Sequence, residues 1–324
     1  MVAKQTAKRK ALNNKSQSRD SVILHAFFIC SVFLFSATLS MLFFMRYGYL
    51  FHGSNSHDKT DEVANCPTIT GGMVIGDCDF AGTVTSRFNL QNTVNNWINS
   101  IGGSKGVIIY DLKTNEIVGS SNPDQKFATG SLYKLFVVYA GYLKVQSGEW
   151  GRDDIVGGTG RTILDSLDLA IRESDSECAE SLWSMIGRDE LDEIVHTQFG
   201  LSDVTVGSLE AAPREILSMM KRFYEHPGIT DSDLIERIKD SFLNQPPTIY
   251  IWRQGLPSGF SDSVDVYNKV GWEFNGRTWN IYNDASILDF KSINRHFIAV
   301  VMTNGVDFKE ITRLGSEIET EISS

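Results

Sequence analysis

The sequence of 324 residues is poor in the residues that build metal centres: it has six histidines and four cysteines. The histidines, His25, His52, His57, His196, His226 and His296, are scattered, and no two stand at i, i+4. A zinc hydrolase of the H-E-x-x-H type is therefore not expected, and neither a metal nor any other cofactor is implied. The body of the chain also lacks a basic footprint. Net charge is −10, and six of the basic residues (Lys4, Lys8, Arg9, Lys10, Lys15, Arg19) stand in the first twenty positions, so the remainder is more acidic still. That excess of negative charge argues against a nucleic-acid partner, whose phosphates need lysine and arginine. Internal repeats and low-complexity stretches are absent from the body as well.

The N-terminal quarter divides into three parts. Residues 1–21 form a basic tail. Val22 to Met45 is an apolar run broken only by His25, small hydroxyls and Cys30. About 20 apolar residues in a helix span a bilayer core, and positive charges ahead of the span hold that end in the cytoplasm. The run reads as a single-pass anchor with the domain outside the membrane. A cleaved signal peptide is the competing reading. Its apolar region usually measures about 7–15 residues and ends in a small-x-small site; this run is longer and no such site follows Met45. Residues 46–87 read as an extracytoplasmic stalk. Cys66 and Cys78 flank a glycine-containing stretch in it, and pairing in an oxidising exterior would contribute about 2–3 kcal/mol. Cys178 is left single and reads as a buried helix residue.

Residues 88–324 read as one domain. Leu90, Val94, Trp97, Ile98 and Ile101 recur at helical spacing up to Gly102-Gly103. Val107–Tyr110, a turn at Asp111–Asn115 and Glu116–Gly119 give two strands. An apolar helix from Ser131 to about Val145 has almost no polar face, which marks a central helix. Residues 162–240 are predicted to be mainly helical. Strands return at Val264–Trp272, Trp279–Leu288 and Phe297–Met302, and Phe308–Ile322 closes the chain as an amphipathic helix. The fold class is α+β: a five-stranded antiparallel sheet, flanked by N- and C-terminal helices, with an all-helical subdomain inserted.

Three strings carry the chemistry. S-x-x-K occurs at Ser56/Lys59, Ser131/Lys134 and Ser218/Lys221. At i, i+3 on a helix an amine can reach a hydroxyl, but Ser56 falls in the stalk and Ser218 inside a helix. Ser131 follows Gly130 at a helix start, where the dipole favours developing negative charge. A plain N-cap is the bland alternative for it. A serine needs a base to become nucleophilic, and Lys134 can serve once burial and a nearby cation lower its pKa. Lys269, late in a strand and followed by Val270-Gly271, is the candidate cation, though a surface lysine would look the same. Ser174-Asp175-Ser176 stands between two helices as an ordinary N-cap string, or as a proton relay at Ser174. A Ser-His-Asp site draws no support at Ser131, because Thr129-Gly130-Ser131-Leu132-Tyr133 lacks the second glycine of G-x-S-x-G.

In this order the strings resemble the S-x-x-K, S-D-N and K-T-G motifs of the serine β-lactamase and penicillin-binding protein superfamily, closest to class A β-lactamases. Ala212-Pro213 opening a helix and Asp284-Ala285-Ser286-Ile287 on a late strand belong to the same resemblance. It implies Ser131 as the acylated nucleophile, Lys134 as its base, Ser174 as proton relay and Lys269 as anchor for a substrate carboxylate. Ser176, Val270, Gly271 and Trp272 would line the substrate, and the backbone N–H groups of Ser131 and Trp272 would form an oxyanion hole. The implied acyl donor is a small-molecule β-lactam or a D-alanyl peptide of the cell wall. Three departures are visible: Ser176 replaces the motif's Asn, Val270 replaces its Thr or Ser, and the stretch before Pro213 is too short for the family's Glu-bearing loop, with only Glu210 nearby. They leave a D,D-peptidase-like enzyme that deacylates β-lactams poorly, or an inactive cell-wall-binding module, as alternatives. Tyr267-Asn268 and the indoles of Trp252, Trp272 and Trp279 are expected to serve packing.

Overall fold

Two amphipathic helices need a sheet to cover, and the sheet supplies two apolar faces by strand alternation. In the computed structural model, which describes residues 86–243, 255–274 and 279–324, helix α1 (Gln91–Ser100) leads into β1 (Ser104–Asp111) and β2 (Glu116–Ser121). The last strands are β5 (Val264–Phe274), β6 (Trp279–Phe290) and β7 (Arg295–Asn304), followed by α8 (Phe308–Ser323). The sheet is antiparallel in the order β2-β1-β7-β6-β5. Strands from both ends of the chain therefore meet at β1 and β7. The expected α+β architecture is observed; all of it lies within the unit Cys78–Ser324.

Val107 and Ile109 on β1 join Leu90 just before α1, Val94 and Trp97 of α1 and Ile311, Leu314 and Ile318 of α8 in one core. The Trp97 indole N–H donates to the Glu310 carbonyl at 2.7 Å, which ties the two helices across that face. Ile108 and Tyr110 point the other way, into a larger core shared with the helical part. That part contains α2 (Lys134–Gln146), α3 (Ile163–Arg172), α4 (Ser176–Ile186), α5 (Arg188–Thr197), α6 (Pro213–Glu225) and α7 (Ser232–Phe242). Helix α2 runs through its middle and is buried on every side except at Leu143 and Gln146, as its largely apolar sequence demands. Its buried Lys144 is paired to Glu149 at 2.6 Å and Glu190 at 2.5 Å.

Helix starts follow capping chemistry. Thr162 caps α3 by accepting from the Asp165 N–H, Asp175 caps α4 and Asp231 caps α7. Pro213 occupies the first turn of α6, and the Glu215 carboxylate accepts from the Ala212 N–H at 2.7 Å. One predicted start is revised: Ser131 lies in a 3-10 turn, Gly130–Tyr133, and α-helix begins only at Lys134. A small second sheet, β3 (Phe127–Ala128) paired with β4 (Glu210–Ala211), has no counterpart in the sequence reading, because two-residue strands carry no periodicity.

The tail, the apolar run Val22–Met45, Cys66 and Cys78 lie outside the described residues, as does Trp252. Among the described residues no helix is long and apolar enough to cross a membrane.

Candidate active site

The turn that carries Ser131 is gripped from two sides. From the loop before α6, the Leu209 carbonyl accepts from both the N–H (2.8 Å) and the hydroxyl (3.0 Å) of Thr129. From β6, the fully buried Asn283 amide donates to the carbonyls of Ala128 (2.8 Å) and Thr129 (3.1 Å), while its oxygen accepts from the Thr303 N–H at 2.8 Å. Gly130 then takes a left-handed φ of +50° and lies directly against β5. A β-carbon there would meet the Gly271 carbonyl carbon and oxygen at 2.7 Å and the Trp272 nitrogen at 3.1 Å. A β-carbon on Gly271 would stand 2.1 Å from the Thr129 carbonyl oxygen. The Lys-x-Gly string is thus pressed onto the Ser131 turn with backbone touching backbone, which only glycine permits. Ser131 is half-buried, and its hydroxyl has no hydrogen-bond partner among the described residues. It does not cap a helix; Thr129 and Tyr133 occupy the cap positions of the two helical segments.

Lys134 follows on the same face as Ser131. Its side chain is buried, and its amine donates to the Ser174 carbonyl at 2.5 Å, the Ser176 hydroxyl at 3.0 Å and the Ser174 hydroxyl at 3.4 Å. Lys269, also buried, arrives from β5 and donates to the same Ser174 hydroxyl at 2.8 Å and to the Val270 carbonyl at 2.8 Å. The three strings therefore meet: one serine hydroxyl bridges two amines that lie far apart in sequence. Burial lowers the Lys134 pKa to about 8, against the opposing pull of Asp175, Glu180 and Cys178.

Ser174 reaches both amines only by adopting a left-handed backbone, φ +55°, which for a residue with a β-carbon costs about 1–3 kcal/mol. Its neighbours hold it there. The Asp175 N–H bonds the Leu169 carbonyl at 3.1 Å. The Asp175 carboxylate accepts from the Cys178 N–H at 3.0 Å and pairs with Arg161 at 2.8 Å. Burial pushes this carboxyl up, but the Cys178 N–H and Arg161 outweigh it and leave the pKa below the ordinary value. Cys178 is fully buried beside Arg161 (Nη1 to Sγ 3.1 Å), and burial raises its thiol. Packing, not reactivity, is its visible role.

Other residues separate by strand alternation. Lys269 and Gly271 share one face of β5, whereas the buried Val270 lies with Val266 on the opposite face, the α8 side. The Trp272 ring packs against Tyr282 at 5.0 Å and Phe308 at 5.7 Å. Asn268 is buried against Asp284. One string of the form G-x-S-x-G does occur, Gly102–Gly106, but its Ser104 is exposed at the start of β1 and accepts only from Gln125 among the described residues. Residues 198–212, between α5 and α6, contain Glu210, which is exposed on β4 while Ala211 turns inward. Among the described residues no cluster of histidine, cysteine and carboxylate side chains could hold a metal. Two supporting residues escaped the sequence reading. Asn283 was hidden as one polar position within a strand, and Arg161 lies in the loop before α3, where nothing in the spacing links it to Asp175.

The contact between Gly271 and the Ser131 turn can be measured. Gly271→Ala is expected to lower stability by about 1–3 kcal/mol in urea unfolding. Gly157→Ala, where a β-carbon meets nothing within 4 Å, is the matched control and should unfold like the parent.

Against this geometry, comparison with known proteins gives a consistent answer. No curated protein matches the chain. Solved structures do: a class A β-lactamase from Mycobacterium abscessus superposes with a TM-score of 0.58 at 18% identity, covering 72% of this chain and 99% of that one. An ancestral class A β-lactamase, reconstructed for Gram-negative bacteria, gives 0.61 at 17% identity, with 72% and 99% covered. A β-lactamase from Xanthomonas campestris gives 0.61 at 13% identity, with 71% and 96% covered. These likenesses establish a shared fold. The model of a family described as the β-lactamase enzyme family matches residues 89–322, and on that match the chain belongs to the β-lactamase enzyme family.

Proposed function

We propose that the protein is a serine hydrolase that forms an acyl-enzyme on Ser131 with a β-lactam or a D-alanyl peptide. The observation that carries this reading is the Ser174 hydroxyl bridging the buried amines of Lys134 and Lys269 beside the Ser131 turn. Lys134 in its neutral form takes the Ser131 proton as Oγ attacks the amide carbonyl. The N–H groups of Ser131 and Trp272 receive the developing oxyanion, in keeping with the backbone contact between the turn and β5. Ser174 accepts a hydrogen bond from each amine, so its own proton is directed outward and can pass to the departing nitrogen while Lys134 resupplies it. Lys269 contributes positive charge to a substrate carboxylate. Ser176 keeps a contact to Lys134 but offers no amide to substrate, and Val270 and Gly271 present backbone. This arrangement favours an enzyme over an inactive binding module, because burying two lysine side chains around one hydroxyl is costly without a use for them. The short connection before α6 supports slower hydrolysis of the acyl-enzyme than in class A β-lactamases, and hence a D,D-peptidase-like balance as the second reading.

Cellular placement follows from the N-terminal sequence. The basic tail and the apolar run Val22–Met45 anchor the protein, with the hydrolase domain outside the cytoplasmic membrane, where cell-wall peptides and β-lactams are met.

Three outcomes are expected. Fluorescent penicillin should label the wild-type domain covalently and leave Ser131→Ala unlabelled; equal labelling of both would end the acyl-enzyme reading. Only neutral Lys134 can accept the serine proton, so the acylation rate should be level above a pH of about 8 and fall about tenfold per unit below it. Stopped-flow acylation between pH 5.5 and 9.5 reads this profile. In cells whose outer layers are opened but whose cytoplasmic membrane is intact, protease should digest the domain; protection of the domain would reverse the assigned orientation.

A further inference from the structure

A cavity opens away from the three strings. Strand alternation sends Tyr267 on β5 and Ile287 and Asp289 on β6 to the helical face of the sheet. Tyr267 stands opposite Ile287, and Asp289 opposite His296 of β7. The last turns of α6 and α7 lie over them, with the Phe223 and Phe242 rings 4.7 Å apart, centre to centre. The space left between sheet and helices is a half-open cavity of about 200 Å³. Ser131, Lys134, Ser174 and Lys269 take no part in its walls. A void of that size holds one aromatic ring or a branched alkyl group.

Two opposite charges border this apolar space. Asp289 comes from the sheet and Lys239 from the last turn of α7. Among the described residues no lysine or arginine pairs with Asp289; the His296 Nε2 stands 3.3 Å from its carboxylate. The Tyr224 hydroxyl lies 3.3 Å from the other nitrogen of that ring. A neutral His296 with its proton on Nε2 serves both contacts, so the carboxylate is oriented without being neutralised. The Lys239 amine makes no ion pair among the described residues either, and stands 5.9 Å from the centre of the Tyr267 ring. The two charges do not pair with each other, although both border one small space. His226 completes the wall; burial holds its pKa below the ordinary histidine value, so it adds no charge at neutral pH. Among the described residues these histidines and Asp289 do not group as a metal site. A half-buried anion on a rigid strand and a cation on an exposed helix end, with an apolar hollow between the two elements, are complementary to a ligand that carries both charges on one short backbone.

We propose that this cavity binds a free amino acid with an apolar side chain. The ammonium pairs with Asp289, the carboxylate pairs with Lys239, and the side chain enters the hollow among the buried Phe223, Ile238, Phe242 and Ile287. Lys239 is exposed and its amine ends a flexible stem, so it can leave the Tyr267 ring to meet the carboxylate. A residue inside a peptide has neither charge and is not recognised. The assignment is independent of the acyl-enzyme reading, because it uses none of the residues around Ser131.

The test separates the two charges and the apolar group. The full chain in detergent is titrated with phenylalanine (each enantiomer), phenethylamine, hydrocinnamate and glycine, and binding is read by ligand-observed NMR. The tighter phenylalanine enantiomer should bind about fivefold more strongly than either singly charged analogue. Glycine, which has no side chain to bury, should not bind. Asp289→Asn should weaken phenylalanine and phenethylamine about fivefold and leave hydrocinnamate unchanged. Lys239→Met should weaken phenylalanine and hydrocinnamate to the same degree and leave phenethylamine unchanged. Ser131→Ala should bind phenylalanine as the wild type does. Thermal melts check that the variants fold; should Asp289→Asn fail, the wild-type probe series and Lys239→Met, at an exposed position, still decide. Absence of phenylalanine binding, equal affinity for the three ring compounds, glycine binding as tight as phenylalanine, or loss of binding in Ser131→Ala would each overturn the assignment and leave acylation of Ser131 untouched.

Discussion

Two ammonium-bearing side chains buried around one hydroxyl set the terms for this site. A buried charge is tolerated only when hydrogen bonds replace the water it has lost. Lys134 therefore takes a carbonyl and a hydroxyl from Ser174 in the loop after α3 and the Ser176 hydroxyl at the start of α4, and Lys269 takes the Ser174 hydroxyl and a carbonyl of its own strand. Those demands fix the position of the loop, and the loop in turn is what brings the helical part and the sheet to a common point. Burial also tunes the chemistry, because it moves Lys134 from a permanent cation to a group that exchanges its proton near neutral pH.

A second constraint works on the backbone. The turn before α2 meets β5 backbone to backbone at Gly130 and Gly271, and Asn283 and Leu209 clamp its carbonyl and amide groups. Preorganised donors and a fixed nucleophile are worth more than flexible ones because no reorganisation is left for the reaction itself. Here the rigidity comes from close packing of glycines and from one buried amide.

The large elements were legible because they follow simple periods. The continuous apolar run Val107–Tyr110, the helical recurrence from Leu90 to Trp97 and the apolar surface of α2 translate directly into burial. The three strings that meet around Ser174 were legible because their order along the chain is itself information. What stayed hidden depends on tertiary contact. Asn283 is an unremarkable strand residue until its partner carbonyls are known, and the pairing of Phe127–Ala128 with Glu210–Ala211 is too short for any pattern. The helix boundary at Ser131 slipped by one 3-10 turn, since Gly130 redirects the chain before the regular helix begins. Neither the Arg161–Asp175 pair nor the left-handed backbone of Ser174 leaves a trace in local composition.

That last conformation bears on how such a site is lost over time. Glycine or asparagine would occupy the Ser174 backbone with less torsional penalty than serine does. Either change removes the oxygen that both lysines share, so drift toward a sturdier chain and drift toward silence run in the same direction at this one position. Serine at this position thus exchanges torsional ease for the hydrogen bonds it accepts from both lysines.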